Sequence, residues 1–469
     1  MRYPRETLRL GMAALLLHAI KEAPDNFKAL RELHRMLLRQ IVNCERRIKR
    51  LKNARQRIRS FLSSKRPAKA TAKKLKKVLQ GIDGRVKDIH HLLFLWRCFG
   101  DGIACIYQST YSLKHLYFGA DYQVKSDPGF VLGKEGLIRE YRMLRKALQL
   151  KLPAVLSDLT NIIRHGDVCL LAQADPVPIE VKSSSNSNDR VRRQIEQLQV
   201  LHDFYTNDGA ASFRGLPSKR IAIESPVVSY EREFNECMTS AHTNGMQIVF
   251  PEPGLTYICA RTEGQWSSAM LKTVETHLNG STLCVALTPD PTWLPHYSFT
   301  ASLSPANTVS FMQEVVVGVV LIDLAILKDL LIQKKLNPVI LMDGVHALQV
   351  SWGFGVKDEM SSDPGAGHEM GCEQVSADMA AGDVADGIVN LHPFADQGIF
   401  RASELHFLRT ATQFESLNWF VDGLASQMEM IKLEQLPATA NPSGDEFYME
   451  VPDGWLDAQD CYISTPCKS

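Results

Sequence analysis

Arg164-His165-Gly166-Asp167-Val168-Cys169-Leu170-Leu171, a short turn, then Pro178-Ile179-Glu180-Val181-Lys182-Ser183-Ser184 is the stretch whose reading decides the fold. Its two apolar runs read as neighbouring strands joined through Ala174-Asp175-Pro176, since Asp and Pro both favour turns. Side chains alternate faces along a strand, so Glu180 and Lys182 share one face while Ile179 and Val181 point into the core. With Asp167, this sets two carboxylates and an amine on a mostly apolar sheet. Desolvating such charges is costly unless something satisfies them. One partner is a cross-strand ion pair on a solvated face; another is a divalent metal ion with a phosphodiester.

The surroundings fall into a simple order. Residues 133–150 read as a helix with Leu137, Ile138, Tyr141, Leu144 and Leu148 on one side, the spacing of an amphipathic face. A strand begins at Pro153, although 156–163 could also be helical. After the strand pair comes a polar loop ending at Asp189, a fair N-cap. A helix over 190–205 follows, with Val191, Ile195, Leu198 and Leu201 at helical spacing. A strand over 219–224 closes the series before Pro226.

Set in that order, Asp167, a twelve-residue gap and Glu180-Val181-Lys182 resemble the PD-(D/E)xK nuclease superfamily over about 126–226. The resemblance implies an α/β class chain with a restriction-endonuclease-like core, a small mixed sheet flanked by helices. It implies a nuclease that uses Mg²⁺ (or Mn²⁺) to hydrolyse phosphodiester bonds, in DNA sooner than in RNA. Asp167 and Glu180 would be catalytic metal ligands, since Mg²⁺ is a hard ion that prefers oxygen. Lys182 would orient or deprotonate the attacking water. Glu135 matches the extra acid that many members carry on the preceding helix, and Glu140 is its rival. Gln194 or Gln197 would touch the substrate or a metal-bound water. His165 as a catalytic helper and Arg164 as a phosphate contact both stand against purely structural roles at a strand end. The resemblance extends, by analogy, to prokaryotic anti-phage defence effectors. Two departures are visible. His165-Gly166 stands where the pattern has Pro before Asp167, and the Gln-x-x-x-Tyr motif of one branch is missing from the helix that follows.

Charge is distributed unevenly. The formal net charge is only +1, yet 27–87 holds 21 Lys or Arg against three acids, a local +18 that the rest of the chain offsets. Leu30, Leu33, Leu37, Ile41, Ile48, Leu51 and Ile58 recur at helical intervals there, Ser63 to Pro67 breaks the pattern, and a second helix is expected over 70–98, kinked near Gly81 and Gly84. The pair reads as a basic antiparallel hairpin. It is either a solvated coiled-coil arm or a clamp on nucleic acid. A solvated helix usually mixes signs to form i,i+4 pairs, so the scarcity of Glu favours phosphate contacts. The candidate contacts are Arg46, Arg47, Lys49, Arg50, Arg55, Arg57, Lys73, Lys74, Lys76 and Lys77. The hairpin could also carry a partner protein or a second copy of the chain.

The expected organisation is a helical region over 1–125, the nuclease-like core over 126–226, and an α+β accessory region over 227–469. In that last region 247–251, 256–260, 282–287 and 338–342 read as strands and 268–278 as a helix. Residues 315–327 read as a buried core helix or a strand–helix pair, too short and charged to cross a membrane. The run 11–20 reads as an amphipathic first helix rather than a leader, since it holds His18 and runs into Lys21-Glu22. Residues 357–386 form an acidic, Gly- and Ser-rich loop, and 443–460 an acidic tail that could dock on the basic hairpin. Ten cysteines without a Cys-x-x-Cys pair fit a reducing cytoplasm and argue against a zinc ribbon. Two rivals to a nuclease remain open: an inactive nucleic-acid-binding protein of the same fold, and a coiled-coil scaffold.

Overall fold

Apolar residues at helical spacing organise the first hundred residues, and they do so in a computed structural model that describes the whole chain except 1, 66, 120–123, 126–127, 182–188, 214–215, 221–224, 263–265, 296–297, 345, 353–397, 435–447, 453–459 and 465–469. Helices α1 (Thr7–Glu22), α2 (Phe27–Ser64) and α3 (Lys69–Tyr107) are followed by the short α4 (Thr110–Lys114). Next come α5 (Leu137–Gln149), β1 (Ala154–Leu156), β2 (Val168–Leu170), β3 (Val177–Ile179), α6 (Asp189–Asn207), β4 (Gly209–Phe213) and β5 (Leu216–Lys219). The remainder runs α7 (Glu231–Asn244), β6 (Met246–Glu252), β7 (Leu255–Arg261), α8 (Trp266–His277), β8 (Thr282–Leu287), α9 (Phe299–Ser302), α10 (Pro305–Met312), β9 (Val316–Asp323), α11 (Leu324–Gln333), β10 (Asn337–Ile340), β11 (His346–Trp352), β12 (Gly398–Ser403), α12 (Glu404–Phe407), α13 (Arg409–Thr412), α14 (Leu417–Glu434), β13 (Tyr448–Pro452) and β14 (Asp460–Ser464).

The basic hairpin is present as α2 against α3. Asn26 caps α2 by accepting from the Ala29 amide at 3.1 Å, which satisfies one of the free donors of the first turn. Helix α3 starts one residue earlier than expected, passes Gly81 and Gly84 without interruption, and ends nine residues later. From Leu92 to Ala104 it is buried on every side. A helix apolar all round belongs in a core, and here that core is shared. Buried residues of α1, α3, α5, β2, α7, β9, α13 and α14 belong to one hydrophobic cluster, so all three stretches of the chain contribute to it. Thr300 of α9 donates to the Cys98 carbonyl of α3 at 2.7 Å, joining N- and C-terminal parts.

Four sheets form. The turn through Ala174-Asp175-Pro176 closes the expected strand pair, with Val168 opposite Ile179 and Leu170 opposite Val177, and β1 adds to β2 through Leu156 opposite Val168. All of this pairing is antiparallel. Among the described residues this sheet is antiparallel rather than mixed: β4, the first strand after α6, pairs with β5, as short connections favour, and the two belong to the sheet β14-β13-β5-β4. Of the expected strand 219–224, Lys219 ends β5 (Leu216–Lys219), and 221–224 lie outside the described residues. A third sheet, β6-β7-β9-β8, and a fourth, β10-β11-β12, lie in the C-terminal half. There the expected elements appear, and 315–327 resolves into the strand–helix pair β9 and α11. The acidic loop 357–386 lies outside the described residues. Within the acidic tail, β13 pairs with β5. No helix among the described residues is long and apolar enough to cross a membrane.

Candidate functional site

The site forms where β2 begins and β3 ends, on a floor supplied by the root of the hairpin. Two polar residues of the buried part of α3 prepare it. Arg97 donates from Nε to the Asp158 carbonyl at 3.1 Å and from Nη2 to the Gly129 carbonyl at 3.0 Å. Asp101, one turn on, accepts from the amides of Asn161 and Ile162 at 2.6 and 3.1 Å and from Asn161 Nδ2 at 2.7 Å. Gly100 lets the helix lie against this loop, since a Cβ there would meet the Leu159 carbonyl oxygen at 2.0 Å. Helix α2 adds Glu45, an acid buried within a basic helix. Its carboxylate accepts from the amides of Val131 and Leu132 at 3.0 and 2.7 Å. Burial raises its pKa, against the pull of those amides.

The loop held by Glu45 delivers Lys134, a residue the sequence reading passed over. Its ammonium lies 2.8 Å from Asp158 Oδ2, 2.8 Å from Asp167 Oδ1 and 3.0 Å from Glu140 Oε2. Burial works against the charge, yet Asp158 and Asp167 prevail and the lysine titrates above its ordinary value. Asp167 is fixed on its other side too. Its Oδ2 accepts from the Val181 amide at 2.9 Å, and its own amide donates to the Ile179 carbonyl at 2.8 Å. Gly166 makes this approach possible. Its φ is +68°, and a Cβ would lie 2.9 Å from the Ile179 nitrogen, so both the backbone conformation and the space favour glycine. The bonds to Ile179 and Val181 flank Glu180, which lies half-buried between them. The expected neighbourhood of Asp167 and Glu180 is therefore present. Lys182 lies outside the described residues.

Of the two candidate acids near α5, Glu140 is the one the site contains. Glu135 is exposed in the turn before the helix, which starts at Leu137 rather than 133. Glu140 is 2% exposed, and burial pushes its carboxyl up to about 7, opposed by Lys134 and reinforced by Asp167. A signal for this was available: Glu140, Leu144 and Leu148 are successive four-residue steps, so the acid sits on the buried stripe. Gln194 lies on α6, its side chain outside those described, while Gln197 lines a cavity of about 220 Å³ with His115, His165 and Phe213. His165 is buried, its Nε2 2.8 Å from the Phe118 carbonyl.

Because the folded pKa of Glu140 lies above its ordinary 4.5, the folded state prefers the protonated acid. Its contribution to stability therefore falls as pH rises from 4.5 to about 7. Glu140→Gln, which mimics the protonated form, is expected to be more stable than the parent by roughly 2 kcal/mol above that window and equal to it below. Denaturation midpoints across the window check this; a difference that does not change with pH would remove Glu140 as the titrating group.

The predicted phosphate contacts divide by position. Arg46, Lys49, Arg50, Arg57, Lys73, Lys74, Lys76 and Lys77 are exposed and form no ion pair with a described residue. Arg47 lies 3.7 Å from Glu6, and Arg55 is half-buried at 2.9 Å from Asp83. All three acids of the basic segment are engaged: Glu32 with Arg35, Asp83 with Arg55, and Glu45 in its buried seat. The remaining cations have no acid on the hairpin to neutralise them. Comparison with known proteins adds nothing to this picture: no family model, curated protein or solved structure matches the chain.

Proposed function

We propose that the chain is a metal-dependent nuclease that hydrolyses phosphodiester bonds, with DNA favoured over RNA on the resemblance set out above. The observation that carries the reading is the convergence of Glu140, Asp158 and Asp167 on one cationic centre beside Glu180. Their donors are all carboxylate oxygens, the set that Mg²⁺ or Mn²⁺ prefers. The distances of 2.8 to 3.0 Å are those of an ammonium, longer than the ~2.1 Å that Mg²⁺ requires. Asp167, Asp158, Glu140 and Glu180 would hold the ion once Lys134 withdraws. Such an ion supplies polarisation of the scissile phosphate and offsets charge on the leaving oxygen. Lys182 then has the task of orienting the attacking water, and the hairpin cations that of gripping the backbone.

One observation favours a second reading. Lys134 already neutralises the acids, as it would in a protein that keeps the fold and binds nucleic acid without cutting it. Plasmid DNA incubated with the chain and Mg²⁺ or Mn²⁺ separates the two. The nuclease reading expects cleavage that Asp167→Asn and Glu180→Gln abolish and that Lys182→Ala slows by about a hundredfold or more. Cleavage unchanged in all three variants would sink it. Salt-dependent binding without cleavage under either metal selects the second reading.

A further inference from the structure

Where the hairpin leaves the body, a cleft of about 640 Å³ opens between the N-terminal segment, α2 and α3. Five guanidinium groups line it, those of Arg2, Arg5, Arg47, Arg50 and Arg85, against one carboxylate, Asp88. Two of the five are compensated: Arg2 pairs with Glu314 and Arg47 lies 3.7 Å from Glu6. Arg5, Arg50 and Arg85 form no ion pair with a described residue. Gathering like charges in one recess is unfavourable unless an anion joins them. The recess also has an apolar side, made of half-buried Leu51 and buried Ile89 and Leu92.

The cleft is built rather than incidental, because its N-terminal wall is tied down. The Arg2 amide donates to the Gln313 carbonyl at 3.1 Å, and the Tyr3 amide to Gln313 Oε1 at 2.6 Å. Gln313 Nε2 returns a bond to the Tyr3 carbonyl at 2.9 Å. Tyr3 Oη lies 2.8 Å from His91 Nδ1, and the two rings stack with centroids 5.8 Å apart. Tyr3 is thereby fixed at the edge of the recess, and Arg5, two residues on, lines it. Arginine suits this position, since its planar fork matches phosphate oxygens and tolerates partial burial. The volume lies in the range of small-molecule sites.

We propose that this cleft binds a phosphorylated nucleoside, its phosphate held by Arg5, Arg50 and Arg85 and its base laid against the Leu51, Ile89 and Leu92 side. The same chemistry is offered by a free nucleotide and by the 5′-phosphorylated end of a strand. The site goes beyond the nuclease reading and stands whether or not the chain cuts nucleic acid.

Binding is measured on the full chain in EDTA, with ADP, with tripolyphosphate, and with a short oligonucleotide carrying a 5′-phosphate or a 5′-hydroxyl. The triple variant Arg5→Gln, Arg50→Gln, Arg85→Gln is expected to lose about tenfold or more in affinity. The variant Arg142→Gln, Arg145→Gln, Lys146→Gln, which removes three exposed cations of α5 away from both the cleft and the hairpin, serves as the control for general electrostatics and should keep that affinity. A loss with ADP assigns the site to a free nucleotide; a loss confined to the 5′-phosphorylated strand assigns it to a strand end. The proposal fails if the triple Arg5, Arg50, Arg85 variant binds both as the parent does, or if the α5 control variant loses as much. Tripolyphosphate binding as tightly as ADP would overturn the role given to the apolar side. Unchanged thermal midpoints in both variants keep a folding defect from imitating the result.

Discussion

Replacing Lys134 by alanine is expected to lower the apparent stability of the chain by about 3 kcal/mol at mildly alkaline pH, the low end for breaking a buried ion pair. Three carboxylates then face one another without the ammonium that now lies within 3.0 Å of each. The sign with pH follows. Losing the cation removes the group that opposes the raised pKa of Glu140, so the folded state takes up that proton more readily and the defect shrinks as pH falls toward 5. Added Mg²⁺ or Mn²⁺ should stabilise Lys134→Ala more than the parent, because the freed oxygens are hard donors. Chemical denaturation at two pH values, with and without metal, reads all of this. A defect that is independent of pH would mean that the acids do not depend on the ammonium. A variant indifferent to metal would remove the cluster as a cation site, independently of any cleavage assay.

Arg409→Leu should cost more, about 4 kcal/mol. Arg409 is fully buried in α13 and pairs with buried Glu415. Its guanidinium also lies over the Tyr111 ring of α4, and Tyr111 Oη donates to Glu415 at 3.3 Å. The substitution keeps most of the volume but leaves the glutamate without its counter-charge in the core. Removing both partners relieves that burden, so Arg409→Leu with Glu415→Leu should recover most of the loss. Denaturation midpoints of the single and double variants decide it; equal losses would mean that the pair carries no charge coupling. The effect reaches across the chain, since Tyr111 belongs to the N-terminal helices and Arg409 to the C-terminal half.

Local pattern made much of this legible. The hairpin is written in apolar residues at helical intervals, and the strand pair in two apolar runs around the turn through Ala174-Asp175-Pro176. Both depend on residues close in sequence. That closeness is also why Asp167 and Glu180 could be placed together. Lys134 and Asp158 could not be found in this way. Nothing near Lys134 marks it, and it reaches its partners only because Glu45 holds the preceding loop to α2 and Arg97 holds Asp158 to α3. The sheet partners of β4 were hidden for a related reason: whether β4 joins β1–β3 or pairs with β5 is decided by a short connection and by strands far along the chain. The choice of Glu140 over Glu135 was within reach of the helical wheel, once the buried stripe is extended one turn back from Leu144.

The hairpin has a consequence of scale. Ile48 is the last buried residue of α2 and Ile82 the first of α3. Beyond Ile48 the helix continues to Ser64, roughly 24 Å at about 1.5 Å per residue. The arm thus extends less far than one turn of duplex, about 34 Å. A duplex laid along it would be gripped over a footprint shorter than its own repeat, so the arm can fix a strand's distance from the acid cluster but not encircle it.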